Sequence, residues 1–145
     1  MSLKRQSTAV WNGAGADGKG NLSTQSGVLQ SQPYSFHSRF QSEDGKAGTN
    51  PEELLAASHA GCFTMATAFG LGRAGFTADQ LRTTATVSME KSDTGWSVIG
   101  IHLAIEGKVP GIDAAKFQEV VSSAKTGCPI SRALSVPITL DVKLI

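Results

Sequence analysis

The stretch TNPEELLAASHAGCFTMATAFGLGRAG, residues 49–75, decides how the rest of the chain is read. Asn50 predicts an N-cap, and Pro51 falls at the first helical position, where its missing N–H costs nothing. Glu52 and Glu53 then occupy the first turn, where the unpaired backbone N–H groups favour negative charge. From Leu54 to Leu71 the only strongly polar side chain is His59, because Ser58, Thr64 and Thr67 can return their hydroxyls to the backbone a turn earlier. The pattern predicts one long helix, buried on most sides, with Cys62 near its middle and a frayed end at Gly70, Gly72 and Gly75. Its many Ala and Gly residues make it short and small for a membrane span. Ten residues at ~100° each return Glu52 to within roughly 80° of the Cys62 direction, and His59, three residues before Cys62, lies nearer still.

The chain that surrounds this helix has 145 residues, 40% of them hydrophobic, and a formal net charge of +1. That length fits a single domain, residues 1–145, with enough apolar content to build a core without staples. No cluster of Lys or Arg appears, which argues against nucleic acid and anionic membranes as partners and points to a small substrate. No apolar leader opens the chain, so residence in the cytoplasm is expected. In that compartment Cys62 and Cys128 are expected to be reduced, catalytic or redox-cycling rather than a structural disulfide. No Cys or His residues pair at ligand spacing, so neither zinc nor another metal is expected.

Working outward, Lys4 to Trp11 and Asn21 to Ser26 read as strands of a hairpin joined by a glycine-rich turn. Gln32 to Phe40 reads as a third strand, with Tyr34, Phe36, Ser38 and Phe40 on one face and Ser35, His37 and Arg39 on the other. After the helix, Leu81 to Lys91 and Trp96 to Lys108 form the clearest hairpin in the sequence. Ile99, Ile101, Leu103 and Ile105 make an apolar face on its second arm, and His102 lies on the other, half open to water. Asp113 predicts the cap of a second helix running to Lys125, with Phe117, Val120, Val121 and Ala124 inward. Val136 to Ile145 alternates as a closing strand. This order gives an α+β protein, two long helices packed on largely antiparallel sheets.

Chemistry concentrates on few residues. Cys128 precedes Pro129, which suits the first position of a short helix, so Cys128 is expected as its N-cap, where the dipole and Arg132 one turn on favour the thiolate. Cys62 in an oily setting has a raised pKa and needs a cation to act as a nucleophile. Arg39 is the candidate, with Glu52 orienting its guanidinium through a bidentate contact. Each residue alone has a plainer reading: a small core cysteine, a turn cysteine, a capping carboxylate, a solvated arginine and, for His59, a core imidazole bonded to the backbone. Taken together, the two thiols suggest a redox couple.

Thr49, Asn50, Pro51, Glu52, Glu53 and Leu54, then Ala56, Ala57, His59, Ala60, Cys62 and Phe63, together with Gly127, Cys128, Pro129, Ile130 and Ser131, resemble the osmotically inducible protein C (OsmC) family of thiol peroxidases. Gln32, Pro33 and Tyr34 leading to Arg39 and Phe40, and the turn Val109 to Asp113, are similar as well. The resemblance implies the OsmC-like fold, an intertwined homodimer, and reduction of organic hydroperoxides, more weakly of hydrogen peroxide, with no cofactor. It implies that Cys62 is the peroxidatic thiolate, that Cys128 resolves its sulfenic acid as a disulfide, and that Arg39 and Glu52 activate Cys62 and hold the peroxide. In the sister organic hydroperoxide resistance (Ohr) proteins the arginine comes from an early loop. Here Gly13 to Gly20 holds Lys19 but no arginine, which favours the OsmC branch. A dithiol donor, such as a dihydrolipoyl protein, is implied as reductant. The competing reading is a redox-sensing or small-ligand-binding dimer that does not turn over.

Overall fold

A computed structural model describes all residues, Met1–Ile145, and divides into two compact units, Met1–Leu54 and Leu55–Ile145. The first unit holds an antiparallel sheet in the order β1 (Ser7–Asn12), β2 (Lys19–Thr24), β3 (Gln32–Ser35). Gly20 sits at the middle of this sheet because a Cβ there would lie against both Trp11 and Tyr34, whose rings meet across it at 5.4 Å.

The expected strand Gln32 to Phe40 is half as long as its alternation suggests. β3 ends at Ser35, and His37–Gln41 form a π-helical turn instead. Two serines explain the change. The Ser35 N–H donates to Ser38 Oγ (2.9 Å) and the Ser38 N–H donates to Ser35 Oγ (3.1 Å), while Ser38 Oγ donates to the Ser35 carbonyl. Side chains thus satisfy backbone groups that a strand would have paired. The turn brings the Phe36 and Phe40 rings to 5.0 Å, a contact at i,i+4 that extended backbone does not allow.

The long helix α1 (Pro51–Arg73) begins as expected, with Asn50 Oδ1 accepting from the Glu53 N–H at 2.8 Å. Its end is not frayed. Gly75 has φ +85°, the Phe76 N–H donates to the Leu71 carbonyl and the Gly75 N–H to the Gly72 carbonyl, which together make a Schellman stop. Nor is α1 buried on most sides. One stripe, His59, Phe63, Thr67 and Leu71, is fully enclosed, whereas Met65 and Phe69 are 64% and 65% exposed. Four-residue spacing selects a single face for full burial, and Leu55, Cys62 and Ala66 flank it as partly buried contacts with the core. By length and composition α1 would suffice to cross a membrane.

In the second unit, β4 (Gln80–Ser92) and β5 (Gly95–Lys108) form the predicted antiparallel hairpin, and β6 (Ile138–Leu144) joins β5 in parallel. A parallel neighbour needs a crossover, supplied by α2 (Ala114–Gly127) and the one-turn α3 (Pro129–Ala133). Asp113 caps α2 by accepting from the Lys116 N–H at 2.8 Å. Phe117, Val120, Val121 and Ala124 are buried together with Ile101, Leu103 and Ile105 of β5 and Phe63 and Leu71 of α1. Gly107 ends this face of β5 because the Phe117 ring occupies the space of a Cβ. Ile99 leaves the face. Ser88 pairs with Gly100 and Met89 with Val98, so Ile99 is the extra residue of a bulge and is 49% exposed.

Candidate functional site

The thiols 66 residues apart in sequence meet: Cys128 Sγ donates to Cys62 Sγ at 2.8 Å. Two local structures produce this. Cys62 lies on α1, one residue ahead of the buried Phe63. Cys128 links α2 to α3: its N–H continues α2 by donating to the Ala124 carbonyl, and its carbonyl accepts from the Arg132 N–H to start α3. Pro129 at the first position of α3 fixes that junction, as the sequence predicts. Cys128 is fully buried and Cys62 half-buried; both are free thiols.

Burial, and then the neighbouring Cys128 thiol, push the Cys62 thiol above its ordinary value, while the Ile130 N–H directed at its sulfur pulls the other way. The α3 backbone thus bears on the Cys62 sulfur, but its effect is smaller than that of burial. Arg132 is exposed.

His59 is enclosed, as expected for a core imidazole, yet its partner is a side chain rather than the backbone. Nε2 lies 2.8 Å from Ser131 Oγ, and Nδ1 has no partner. Burial lowers its pKa, which keeps the ring neutral. Ser131 was not singled out from the sequence; it stands three residues after Cys128 as His59 stands three before Cys62, a matched spacing visible only once both helices are paired.

In the first unit, Arg39 and Glu52 meet as predicted, though Arg39 projects from the π-helical turn rather than from a strand. Nη2 donates to Oε1 at 2.7 Å and Nε to both carboxylate oxygens at 3.2 Å. The Arg39 side chain is 36% exposed against 15% for Glu52, and its guanidinium stacks 4.8 Å from the Phe40 ring centre. The arginine is thus held from both ends while part of its fork stays open.

A cleft of about 380 Å³ reaches Cys62, walled by Met65, Ala66, Phe69, Ala124 and Pro129 and including Arg73. Sequence reasoning missed Arg73, although eleven residues are close to three helical turns and place it on the Cys62 face. Such a cleft offers apolar contact beside a thiol.

The profile of OsmC-like proteins matches residues 43–143. The peroxiredoxin OsmC of Escherichia coli K12 is 49% identical over 144 residues, covering 99% of both chains. The organic hydroperoxide resistance protein OhrB of Bacillus subtilis is 30% identical over 127 residues, covering 86% of this chain and 89% of its own. The crystal structure of B. subtilis OhrB superposes with a TM-score of 0.71, covering 97% of this chain and 98% of its own at 26% identity. With a profile that spans most of the chain and a relative that matches from end to end, this protein belongs to the OsmC-like family.

Proposed function

We propose that this chain is a cysteine-based thiol peroxidase that reduces organic hydroperoxides to alcohols, and hydrogen peroxide more weakly. The observation that carries the reading is the thiol pair, an accessible sulfur on an apolar cleft backed at 2.8 Å by a buried one. The names of the relatives, peroxiredoxin and organic hydroperoxide resistance protein, support the same class.

In this reading the Cys62 thiolate attacks the outer peroxide oxygen, the O–O bond breaks, and the alkoxide leaves as the alcohol once protonated. Cys62 becomes a sulfenic acid. Cys128 Sγ then attacks Cys62 Sγ, the S–O bond breaks, and hydroxide leaves as water with the thiol proton, giving the disulfide. A dithiol, such as that of a dihydrolipoyl protein, restores both thiols. Because the surroundings of Cys62 in its own unit raise its pKa, ionisation requires a cation, and Arg39 clamped by Glu52 is our assignment for it. Arg39 also holds the peroxide oxygen with the N–H groups that Glu52 leaves open.

We assign both units to one functional domain and place the protein in the cytoplasm as a homodimer. The uncovered apolar residues of α1, Met65 and Phe69, support a second copy as partner. Cumene hydroperoxide supplied with a dithiol tests the whole reading. Many turnovers per chain, lost in Cys62→Ser, are expected; a single stoichiometric oxidation without turnover would make the protein a redox sensor instead.

A further inference from the structure

We infer that His59 and Ser131 form a positioning clasp that holds α3 in register with α1, so that Cys128 resolves oxidised Cys62 before a second peroxide reaches it. This rests on the two-thiol cycle proposed above. α3 is a single turn of five residues with no fully buried side chain of its own, and a helix that short has no independent stability. Its placement therefore depends on what anchors it. Three links run from it to α1: the Cys128 thiol to Cys62 Sγ, the Ile130 N–H to the same sulfur, and Ser131 to His59 Nε2.

Two of these links involve the reacting sulfur itself and are disturbed when Cys62 carries an oxygen. The third is not. His59 and Cys62 are three residues apart on α1, and Cys128 and Ser131 are three apart on the α3 side, so the two side-chain contacts stand as adjacent rungs between the elements. Through the sulfenic acid stage the His59–Ser131 rung stays intact and keeps Cys128 aimed at Cys62 Sγ.

The unpaired Nδ1 points to the same role. A buried imidazole with one nitrogen unsatisfied is a poor choice for mere filling, since an apolar residue of similar size would lose nothing. Whichever of Nε2 and Ser131 Oγ donates, Nδ1 is left without a hydrogen-bond partner. His59 is a positioning residue, not a catalytic one.

The oxidised sulfur has two fates: attack by Cys128 with loss of water, or attack on a second hydroperoxide, which transfers one oxygen to give the sulfinic acid and the alcohol. The partition between them reads the clasp directly. Ser131→Ala removes the rung with the smallest change of volume, and Ser131→Thr keeps the hydroxyl. Graded cumene hydroperoxide is added to each reduced protein, once alone to read the disulfide and once with excess dithiol so that rare second oxidations accumulate over many turnovers, and peptide mass spectrometry measures Cys62 sulfinic acid. Loss of a hydrogen bond of ordinary strength predicts that Ser131→Ala reaches the same sulfinic fraction at about fivefold lower peroxide, with the rate of first oxidation unchanged and the Ser131→Thr partition restored. Ser131→Ala that partitions like wild type, or that loses first oxidation in the same proportion as resolution, overturns the clasp. Wild type that forms no Cys62–Cys128 disulfide would instead sink the two-thiol cycle on which it rests.

Discussion

Replacing Cys128 by Ser separates the two thiols' roles most sharply, because it removes the group that is called on to attack once Cys62 has been oxidised. The Sγ atoms lie 2.8 Å apart, and a disulfide requires ~2.05 Å, so resolution needs less than about 1 Å of approach and no unfolding. Groups held in reacting geometry reach effective concentrations on the order of 10⁵ M. Even if the alignment here is a thousandfold poorer, about 10² M of thiol competes with ~1 mM hydroperoxide, an advantage on the order of 10⁵ for equal intrinsic reactivities. Wild-type protein should therefore overoxidise in a negligible share of turnovers. In Cys128→Ser the same sulfenic acid has no thiol beside it, and each further equivalent of peroxide drives it to sulfinic acid. Stoichiometric titration followed by peptide mass mapping measures this. Expected are a Cys62–Cys128 bridge in wild type and a Cys62 peptide with two added oxygens in the variant. A Cys128→Ser protein whose Cys62 stays unoxidised, or resists the second oxygen as well as wild type does, would refute the division of roles.

Arg39→Ala should slow peroxide reduction at least tenfold while moving the melting temperature little, since a partly exposed ion pair contributes at most about 1 kcal/mol. In that variant the pH midpoint for alkylation of Cys62 should lie above the ordinary thiol value of about 8.5, and Arg39→Lys should not restore the wild-type profile because it lacks the planar fork; identical profiles in all three proteins would remove Arg39 from the activation. His59 has a folded-state pKa below its unfolded value of about 6.5, so the unfolded chain binds more protons between the two. Its contribution should therefore be complete above about pH 6.5 and decline as pH falls toward the folded value; urea midpoints of wild type relative to His59→Gln that do not narrow with acidification would contradict this. Gly107→Ala should cost about 1–3 kcal/mol by driving a methyl into the Phe117 ring, read as a lower melting temperature, and an unchanged melt would show that the ring can move aside.

Local chemistry was the legible part of this chain. Asn50 and Asp113 mark helix starts because each side chain accepts from a backbone N–H within one turn of itself, and Pro129 marks the start of α3 because its missing N–H is not needed at a first helical position. The hairpin of β4 and β5 follows from alternation and its turn. What the sequence concealed depends on partners elsewhere. The reciprocal Ser35 and Ser38 bonds turn an alternating segment into a π-helical turn, and the bulge opposite Ser88 and Met89 ejects Ile99 from an otherwise regular face. The burial of α1 was overread because an apolar helix does not reveal how many of its sides a single chain can cover. At the site, Cys62, Cys128, Arg39 and Glu52 were each named; the Arg39–Glu52 contact, read from the residues, and the Cys62–Cys128 contact, implied by the resemblance, both occur in the structure. Ser131 and Arg73 were missed, the first because its partner is 72 residues away and the second because it was not referred to the Cys62 face of α1.

The boundary between the two units falls inside the first turns of α1, so a single continuous helix carries Glu52 in one unit and Cys62 in the other. Each unit also has one tryptophan, Trp11 on β1 and Trp96 at the start of β5. Single-tryptophan versions of the protein thus give two independent fluorescent reporters of denaturation. Each reporter follows the loss of structure around its own strand, β1 for Trp11 and β5 for Trp96.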